Sequence, residues 1–261
     1  MEACASGSVA EFFEQLAQAA QSLLLLDYDG TLAPFQVERN SAYPYPGVVP
    51  LLEKILDRGN SKVVIITGRP VASLRPLLSP SLQVEIWGSH GMEHLLADGT
   101  CRQITIDPEP AALLASAESW FRAAGFSRQL EVKPGGIAIH WRGLPPQQGE
   151  ETRAAAQQGM ASYSKRPGIA LLEFDGGVEM RVARPNKGDA VRSLLSCSPA
   201  NIPVAYLGDD LTDESAFQAL NGHGLSVLVR SEFRETSARV WLRPPVELMA
   251  FLQRWLNSLS R

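Results

Sequence analysis

The sequence predicts an α/β fold: a parallel sheet with helices on both faces, interrupted by an inserted antiparallel α+β unit. Three observations carry this. Short apolar or β-branched runs recur at 23–26, 62–66, 203–207 and 225–229, and such unalternating runs suit strands buried on both faces. Stretches with helical spacing alternate with these runs. Between 108 and 183 the alternation gives way to helices and hairpin-like strands.

Residues 9–21 place Val9, Phe12, Phe13, Leu16, Ala17 and Ala20 at helical spacing, with Glu11, Glu14, Gln15 and Gln18 between them, an amphipathic helix that needs only a core to pack on. Leu23, Leu24, Leu25 and Leu26 form the first strand, which breaks into Asp27-Tyr28-Asp29-Gly30-Thr31. Pro34, Pro44 and Pro46 mark a loop, after which 48–58 resumes helical spacing and stops at Gly59-Asn60. The second strand, 62–66, runs into Thr67-Gly68-Arg69-Pro70, with the proline suited to the first turn of a helix. A third strand at 84–87 ends in Gly88-Ser89-His90-Gly91-Met92-Glu93, and Asp98-Gly99 turns a hairpin with arms at 95–96 and 103–106.

Asp107-Pro108-Glu109-Pro110 marks a boundary. Beyond it come a helix at 111–124, strands at 130–133 and 137–142, a helix at 147–165, and strands at 169–174 and 178–182 joined by Asp175-Gly176-Gly177. The expected organisation is a core of residues 1–107 and 184–261 around an insert at 108–183. Arg184-Pro185-Asn186-Lys187-Gly188-Asp189 opens a helix to about Ser196, and strand 203–207 ends in Gly208-Asp209-Asp210-Leu211-Thr212-Asp213-Glu214. A helix at 213–220, a strand at 225–229 and a last helix at 245–259, packing Leu248, Phe251, Leu252 and Trp255, complete the chain.

Composition bounds the function. With 261 residues, 45% apolar and 20% charged, the chain can bury a sizeable core. Net charge is −4 with both signs spread along the chain, and the absence of a basic block argues against nucleic acid as a partner. No apolar run approaches the roughly 18 residues of a membrane helix, so no membrane is expected. The N-terminal stretch has no basic start followed by a long apolar segment, which argues against a secretory signal. Cys4, Cys101 and Cys197 are odd in number and far apart, matching neither a zinc spacing nor a disulfide framework. A cytoplasmic protein is expected.

A parallel sheet collects ligand-binding loops at the carboxyl ends of its strands. Here those ends read Asp-x-Asp, Thr-Gly-Arg and Gly-Asp-Asp-x-x-Asp, and Lys187 opens a nearby helix. Asp27 and Asp29 repel each other unless a cation sits between them, and a hard cation prefers oxygen ligands. A calcium loop fits poorly, because Gly30 falls at the fourth position rather than the sixth. Two acidic clusters suit magnesium, which favours a few carboxylates plus substrate phosphate. Thr67 and Lys187 supply a neutral donor and a cation for phosphate oxygens. A carboxylate beside the phosphorus can attack it to form an aspartyl phosphate, and a second, two residues on, can protonate the leaving oxygen and then activate water. Each motif has a plainer reading: Asp-Gly as a turn, Thr-Gly-Arg as a strand-to-helix connection, and Asp210 or Thr212 as a helix cap.

The four motifs DYDGT, TGR, NKG and GDDLTDE together resemble the haloacid dehalogenase superfamily of phosphotransferases, whose core is Rossmann-like. The resemblance implies that Asp27 is the nucleophile and a magnesium ligand, and that Asp29 is the general acid/base and binds Mg2+ through its backbone carbonyl. It implies that Thr67 and Lys187 hold the phosphoryl group. Asp209 becomes the main distal metal ligand, with Asp210 and Asp213 in or just behind the metal shell.

A narrower resemblance covers nearly the full length. The SHGME stretch, LEVKPGGIAIHWR, GVEMR and GDDLTDE are similar to the trehalose-6-phosphate phosphatases, which carry a cap between the second and third motifs. That family implies an Mg2+-dependent hydrolase taking a small sugar phosphate, and a monomer that could be linked functionally to a trehalose-phosphate synthase is expected. Arg69 joins the substrate-binding set. Glu131, Lys133 and Glu179 would contact sugar hydroxyls from the cap and His90 and Glu93 from the core, while His140 and Arg142 would support the cap side. Closure of the cap would exclude water until the second step. His140 and Arg142 also alternate with Ile137 and Ile139 as an ordinary solvent face would, and His90 also suits a loop-backbone role. One departure stands out: the family's Glu-Ile-Lys-Pro or Glu-Ile-Arg-Pro is here Glu179-Met180-Arg181-Val182, with proline delayed to Pro185. Alternatives that keep the motifs are a phosphatase for sucrose phosphate or a glucosyl- or mannosyl-phosphoglycerate, a phosphomutase, and a non-catalytic sugar-phosphate sensor.

Overall fold

The computed structural model describes residues 8–163, 165–174 and 176–259. Gln103–Pro185 forms one compact unit and the chain on either side of it forms the other. Cys4, and Asp175 of the expected hairpin connection, lie outside the described residues.

In the first unit, α1 (Val9–Gln18) leads into β1 (Ser22–Leu26), followed by α2 (Val48–Asp57), β2 (Ser61–Ile66), α3 (Val71–Leu74), β3 (Glu85–Gly88), β4 (Glu93–Leu95) and β5 (Cys101–Gln103). The second unit holds α4 (Pro108–Ala123), β6 (Leu130–Lys133), β7 (Gly136–His140), α5 (Pro146–Ala161), β8 (Ile169–Phe174) and β9 (Gly177–Val182). The chain then returns to the first unit with α6 (Lys187–Ser196), β10 (Val204–Gly208), α7 (Glu214–Ala219), β11 (Leu225–Val229), β12 (Val240–Leu242) and α8 (Val246–Ser258).

Among the described residues, the first unit's sheet has eight strands in the order β12-β11-β10-β1-β2-β3-β4-β5, parallel from β12 to β3, with β4 antiparallel to β3. All five residues of β1 are buried. Strand alternation explains why: Leu24 and Leu26 pack with α1, α2 and α8 residues such as Phe12, Leu52 and Trp255, while Leu23 and Leu25 pack with Val191, Leu194 and Phe217 of α6 and α7. Each such leucine contributes roughly 1.5–3 kcal/mol relative to exposure. From β1 the chain steps one way to β2 and β3, and the later strands β10, β11 and β12 lie on its other side. The switch therefore falls between β1 and β10, where open α/β sheets bind ligands.

The second unit is a four-stranded antiparallel sheet, β6-β7-β9-β8, covered by α4 and α5. Its register puts Glu131, Ala138 and Glu179 in one row and Lys133, Gly136 and Arg181 in the next, so the polar residues share a face. Ile137, Ile139, Val178, Met180 and Val182 alternate onto the other, apolar face and are buried.

Several boundaries differ from expectation. The first helix stops at Gln18, where Ala19 turns extended (ψ 137°), rather than at Gln21. The second arm of the Asp98-Gly99 hairpin is Cys101–Gln103, an exposed strand without the apolar alternation that would have marked it. The prolines at 108 and 110 begin α4 rather than preceding it, since a first turn has no N–H bond for proline to break. The three-residue, half-buried edge strand β12 went unforeseen.

Candidate active site

Asp27 leaves the sheet at the carboxyl end of β1, its N–H still donating to Leu207 O at 2.8 Å. The chain then turns tightly: the N–H groups of Leu32 and Ala33 both donate to Tyr28 O, at 2.8 and 3.0 Å. Gly30 takes φ +81°, and a Cβ there would stand 2.2 Å from Asp209 Oδ2, so only glycine lets the two acidic loops approach this closely. Thr31 donates its hydroxyl to Asp27 Oδ2 at 3.3 Å.

Lys187 is the first residue of α6, whose start is pinned by a capping box. Asp189 N–H donates to Asn186 Oδ1 at 3.1 Å and Asn186 N–H to Asp189 Oδ2 at 2.9 Å. From there the buried Lys187 Nζ donates to Asp27 Oδ1 at 2.6 Å and to Asp213 Oδ1 at 2.7 Å. Asp213 Oδ1 also accepts the Tyr206 hydroxyl at 2.5 Å, while Asp213 Oδ2 accepts the N–H groups of Asp209 and Asp210 at 3.1 and 3.0 Å. Asp210 accepts from Leu211 N–H at 2.8 Å, completing a capping box with Asp213, so the plainer capping role of this cluster is real as well.

Asp27, Asp209 and Asp213 are buried and offer oxygens within 4.8 Å of one another. Three carboxylates face one ammonium. Burial pushes the Asp27 carboxyl up to about 7 against the pull of Lys187, with Asp213 and Asp29 adding to the rise. Burial, and then the charges of Asp27, Asp213 and Asp210, push Asp209 well above the usual carboxylate range. Lys187 goes the other way: burial disfavours its charge, but Asp213 and Asp27 outweigh that and raise its pKa. Asp209 Oδ2 is buried and, among the described residues, has no hydrogen-bond partner. An all-oxygen donor set, surplus negative charge and an orphaned carboxylate oxygen fit a hard divalent cation.

Asp29 is held elsewhere. Arg69, 2% exposed, donates from Nε and Nη2 to its two oxygens at 2.6 and 2.5 Å, and from Nη1 to Arg39 O at 2.9 Å. Thr67 is buried at the end of β2, where its Oγ1 accepts Arg69 N–H at 3.1 Å. His90 is buried with φ +57°, and its ring lies so close to Gly68 that a Cβ there would meet Nε2 at 2.6 Å. Glu93 accepts from Ser89 Oγ at 2.7 Å and Val71 N–H at 3.1 Å, tying the loop after β3 to the start of α3.

In the second unit, Lys133 donates to Glu179 at 2.9 Å in a buried pair, and His140 Nε2 pairs with Glu131 at 2.8 Å. Arg142 N–H donates to Gly176 O at 3.1 Å. The structure thus brings Asp27, Asp209, Asp213 and Lys187 into one cluster, pairs Asp29 with Arg69, and gathers Glu131, Lys133, His140 and Glu179 on one face of the other sheet.

Sequence reasoning missed Thr31, Tyr206 and Arg234. The first two carried a signal: a hydroxyl beside the acidic motif, and a tyrosine on a buried strand two residues before Gly208, whose phenol needs a partner. Arg234, in the loop after β11, donates to the carbonyls of Asp209 and Asp210, and carried no such signal. No helix among the described residues is long and apolar enough to cross a membrane.

A family model described as trehalose-phosphatase matches residues 25–242. The trehalose-phosphate phosphatase of Mycobacterium tuberculosis is 29% identical over 92% of this chain, which spans 63% of that relative's length. A probable trehalose-phosphate phosphatase of Sinorhizobium fredii is 32% identical, over 79% of this chain and 77% of its own. Among solved structures, the C-terminal domain of the trehalose-6-phosphate phosphatase of Candida albicans superposes with a TM-score of 0.81 over 100% of both chains at 19% identity, a likeness of fold.

Proposed function

The chain belongs to the trehalose-phosphatase family, within the haloacid dehalogenase superfamily, and from that premise we propose that it hydrolyses trehalose 6-phosphate to trehalose and phosphate with the aid of Mg2+. The observation that carries the reading is the Lys187 bridge: one buried ammonium bonded to Asp27 at 2.6 Å and Asp213 at 2.7 Å, beside the orphaned oxygen of Asp209. A lysine so placed holds the nucleophile's carboxylate and meets an incoming phosphate with positive charge.

In the proposed first step an Asp27 oxygen bonds to phosphorus, the bond from phosphorus to the sugar oxygen breaks, and Asp29 gives that oxygen its proton. In the second step water attacks phosphorus, Asp29 takes the water's proton, and phosphate leaves Asp27. As the proton passes, one of the two Arg69 bonds to Asp29 opens while the other keeps the carboxylate aimed. Thr67 and Lys187 hold the phosphoryl oxygens. Asp27, Asp209 and the Asp29 carbonyl would hold Mg2+, with Asp210 and Asp213 behind them, and when bound the ion offsets the charge that otherwise keeps an anionic nucleophile from a phosphate dianion. Glu131, Lys133 and Glu179 are proposed to read sugar hydroxyls, together with His90 and Glu93, and His140 and Arg142 to support them. Polar groups matched to hydroxyls discriminate strongly, because a wrong sugar leaves buried partners unpaired.

Phosphate release from trehalose 6-phosphate, sucrose 6-phosphate, glucosyl- and mannosyl-phosphoglycerate and glucose 6-phosphate tests this. The expected result is a strong preference for trehalose 6-phosphate, abolished by EDTA and restored by Mg2+. Preference for another sugar would retain the core chemistry and overturn the sugar assignment. No turnover of any of them would overturn the hydrolase reading and favour a sugar-phosphate sensor.

A further inference from the structure

We infer that Arg234 is the positioning residue that sets the aim of the Asp209 carboxylate, and through it the affinity for Mg2+, an inference that rests on the metal-dependent reading above. The turn after β10 packs Asp209, Asp210, Asp213 and Glu214 into six residues, a self-repelling segment. From one side it is pinned by Asp213, whose Oδ2 accepts the N–H groups of Asp209 and Asp210. The carbonyls of the same two residues are taken by Arg234: Nε donates to Asp209 O at 3.3 Å, where Arg230 Nη1 adds a longer contact at 3.5 Å, and Nη2 donates to Asp210 O at 2.7 Å.

Backbone geometry gives this arrangement its consequence. The peptide before the Asp209 Cα is fixed through its N–H by Asp213. The peptide after it is fixed through its N–H by Asp213 and through its carbonyl by Arg234, with Arg230 at the longer distance. With both peptide planes held, φ and ψ of Asp209 are both set, and so is the direction in which its side chain leaves.

Arg234 is itself anchored. Its Nη1 donates to Glu214 Oε1 at 2.5 Å and to Glu235 O at 2.8 Å, and its side chain is 16% exposed. Glu214 opens α7 and also accepts the Thr236 hydroxyl at 2.7 Å and Ser237 N–H at 2.8 Å. Burial would raise the Glu214 carboxyl, but the bonds from Ser237, Thr236 and Arg234 outweigh it and leave its pKa below the ordinary value. A planar guanidinium can serve two neighbouring carbonyls and a carboxylate at once, and a lysine ammonium cannot match that fork.

The test is a calorimetric titration of the full chain with Mg2+ alone, without substrate, for wild type, Arg234→Met and Arg234→Lys, with thermal melts in EDTA alongside. Arg234→Met is expected to weaken Mg2+ binding about tenfold, the range typical of residues that orient metal ligands. Arg234→Lys is expected to recover little of it. The KM for trehalose 6-phosphate at saturating Mg2+ is expected to stay at the wild-type value. A lowered melting temperature with unchanged Mg2+ affinity would reduce Arg234 to a structural residue and overturn the inference. Wild-type affinity in Arg234→Lys would overturn the fork argument by leaving charge alone as the cause, and this variant decides the matter if Arg234→Met does not fold. Wild type failing to bind Mg2+ would overturn the metal reading and this inference with it, whereas binding by wild type and both variants alike would sink this inference only.

Discussion

Arg69 and Asp29, at the ends of adjacent strands, meet as a two-pronged fork, with Arg69 Nε and Nη2 donating to the two carboxylate oxygens at 2.6 and 2.5 Å. Sequence reasoning set Arg69 against the substrate. In the structure it holds the carboxylate that the proposed mechanism assigns to proton transfer, and it is itself buried. Replacing Arg69 with Met is therefore expected to lower kcat by roughly 10–100-fold, in line with losing a group that orients an acid/base catalyst, with KM changed by less. Steady-state kinetics on trehalose 6-phosphate separates the two roles. A raised KM at wild-type kcat would show that Arg69 meets the substrate instead.

Asp27→Asn is expected to lose hydrolysis by on the order of 10³-fold or more, as for a nucleophile acting with its partners as a unit. Stability should move the other way. Asp27 is one of three buried carboxylates served by a single ammonium, and burial already pushes its carboxyl up to about 7. Removing its charge relieves repulsion with Asp213 and Asp209, so the melting temperature in EDTA is expected to hold or rise. A fall of many degrees would mean that the Lys187 bond outweighs the repulsion.

Much of this arrangement was legible in the sequence because it depends on local order. Leu23, Leu24, Leu25 and Leu26 announce a strand covered on both faces, and the residues just beyond a buried strand's carboxyl end land in the site. Lys187 could be placed because it opens a helix next to a capping asparagine. The partners were another matter. Nothing in a sequence pairs Arg69 with Asp29 across 40 residues, or aims Arg234 at two carbonyls more than 20 residues away. Those contacts come from strand order and loop packing, which no local pattern encodes. The edge strand β12 escaped for a different reason: three half-buried residues bear no periodicity.

Lys187→Met tests the bridge itself. The substitution leaves Asp27 and Asp213 buried without their shared cation, a change that typically costs about 3–5 kcal/mol. The variant is expected to melt well below wild type in EDTA, and adding Asp213→Asn should recover part of the loss by removing one of the stranded charges. Urea unfolding of the single and double variants measures both effects. If the second substitution destabilised further by its full independent amount, the coupling argued from the 2.6 and 2.7 Å bonds would be absent.

A last expectation concerns a polar cluster on the same sheet, away from the carboxylates. Glu85 on β3 accepts from Lys62 Nζ at 2.5 Å, Trp87 Nε1 at 3.0 Å and His94 Nε2 at 2.7 Å, with the Trp87 and His94 rings stacked 4.0 Å apart. Burial alone would raise the Glu85 carboxyl, but the bonds from Lys62, Trp87 and His94 outweigh it and leave the pKa below the ordinary value. The unfolded chain, with its glutamate near the usual value of about 4.3, therefore takes up a proton more readily than the folded one. The stabilisation is complete above that pH and is lost as pH falls through the lowered folded value. Urea midpoints measured from pH 6 down to pH 3 should accordingly fall more steeply for wild type than for Glu85→Gln, which has no charge to lose. Parallel curves would mean that the cluster contributes nothing that depends on the ionised carboxylate, and that β2, β3 and β4 are held together by their backbone ladder and the Trp87–His94 stack instead.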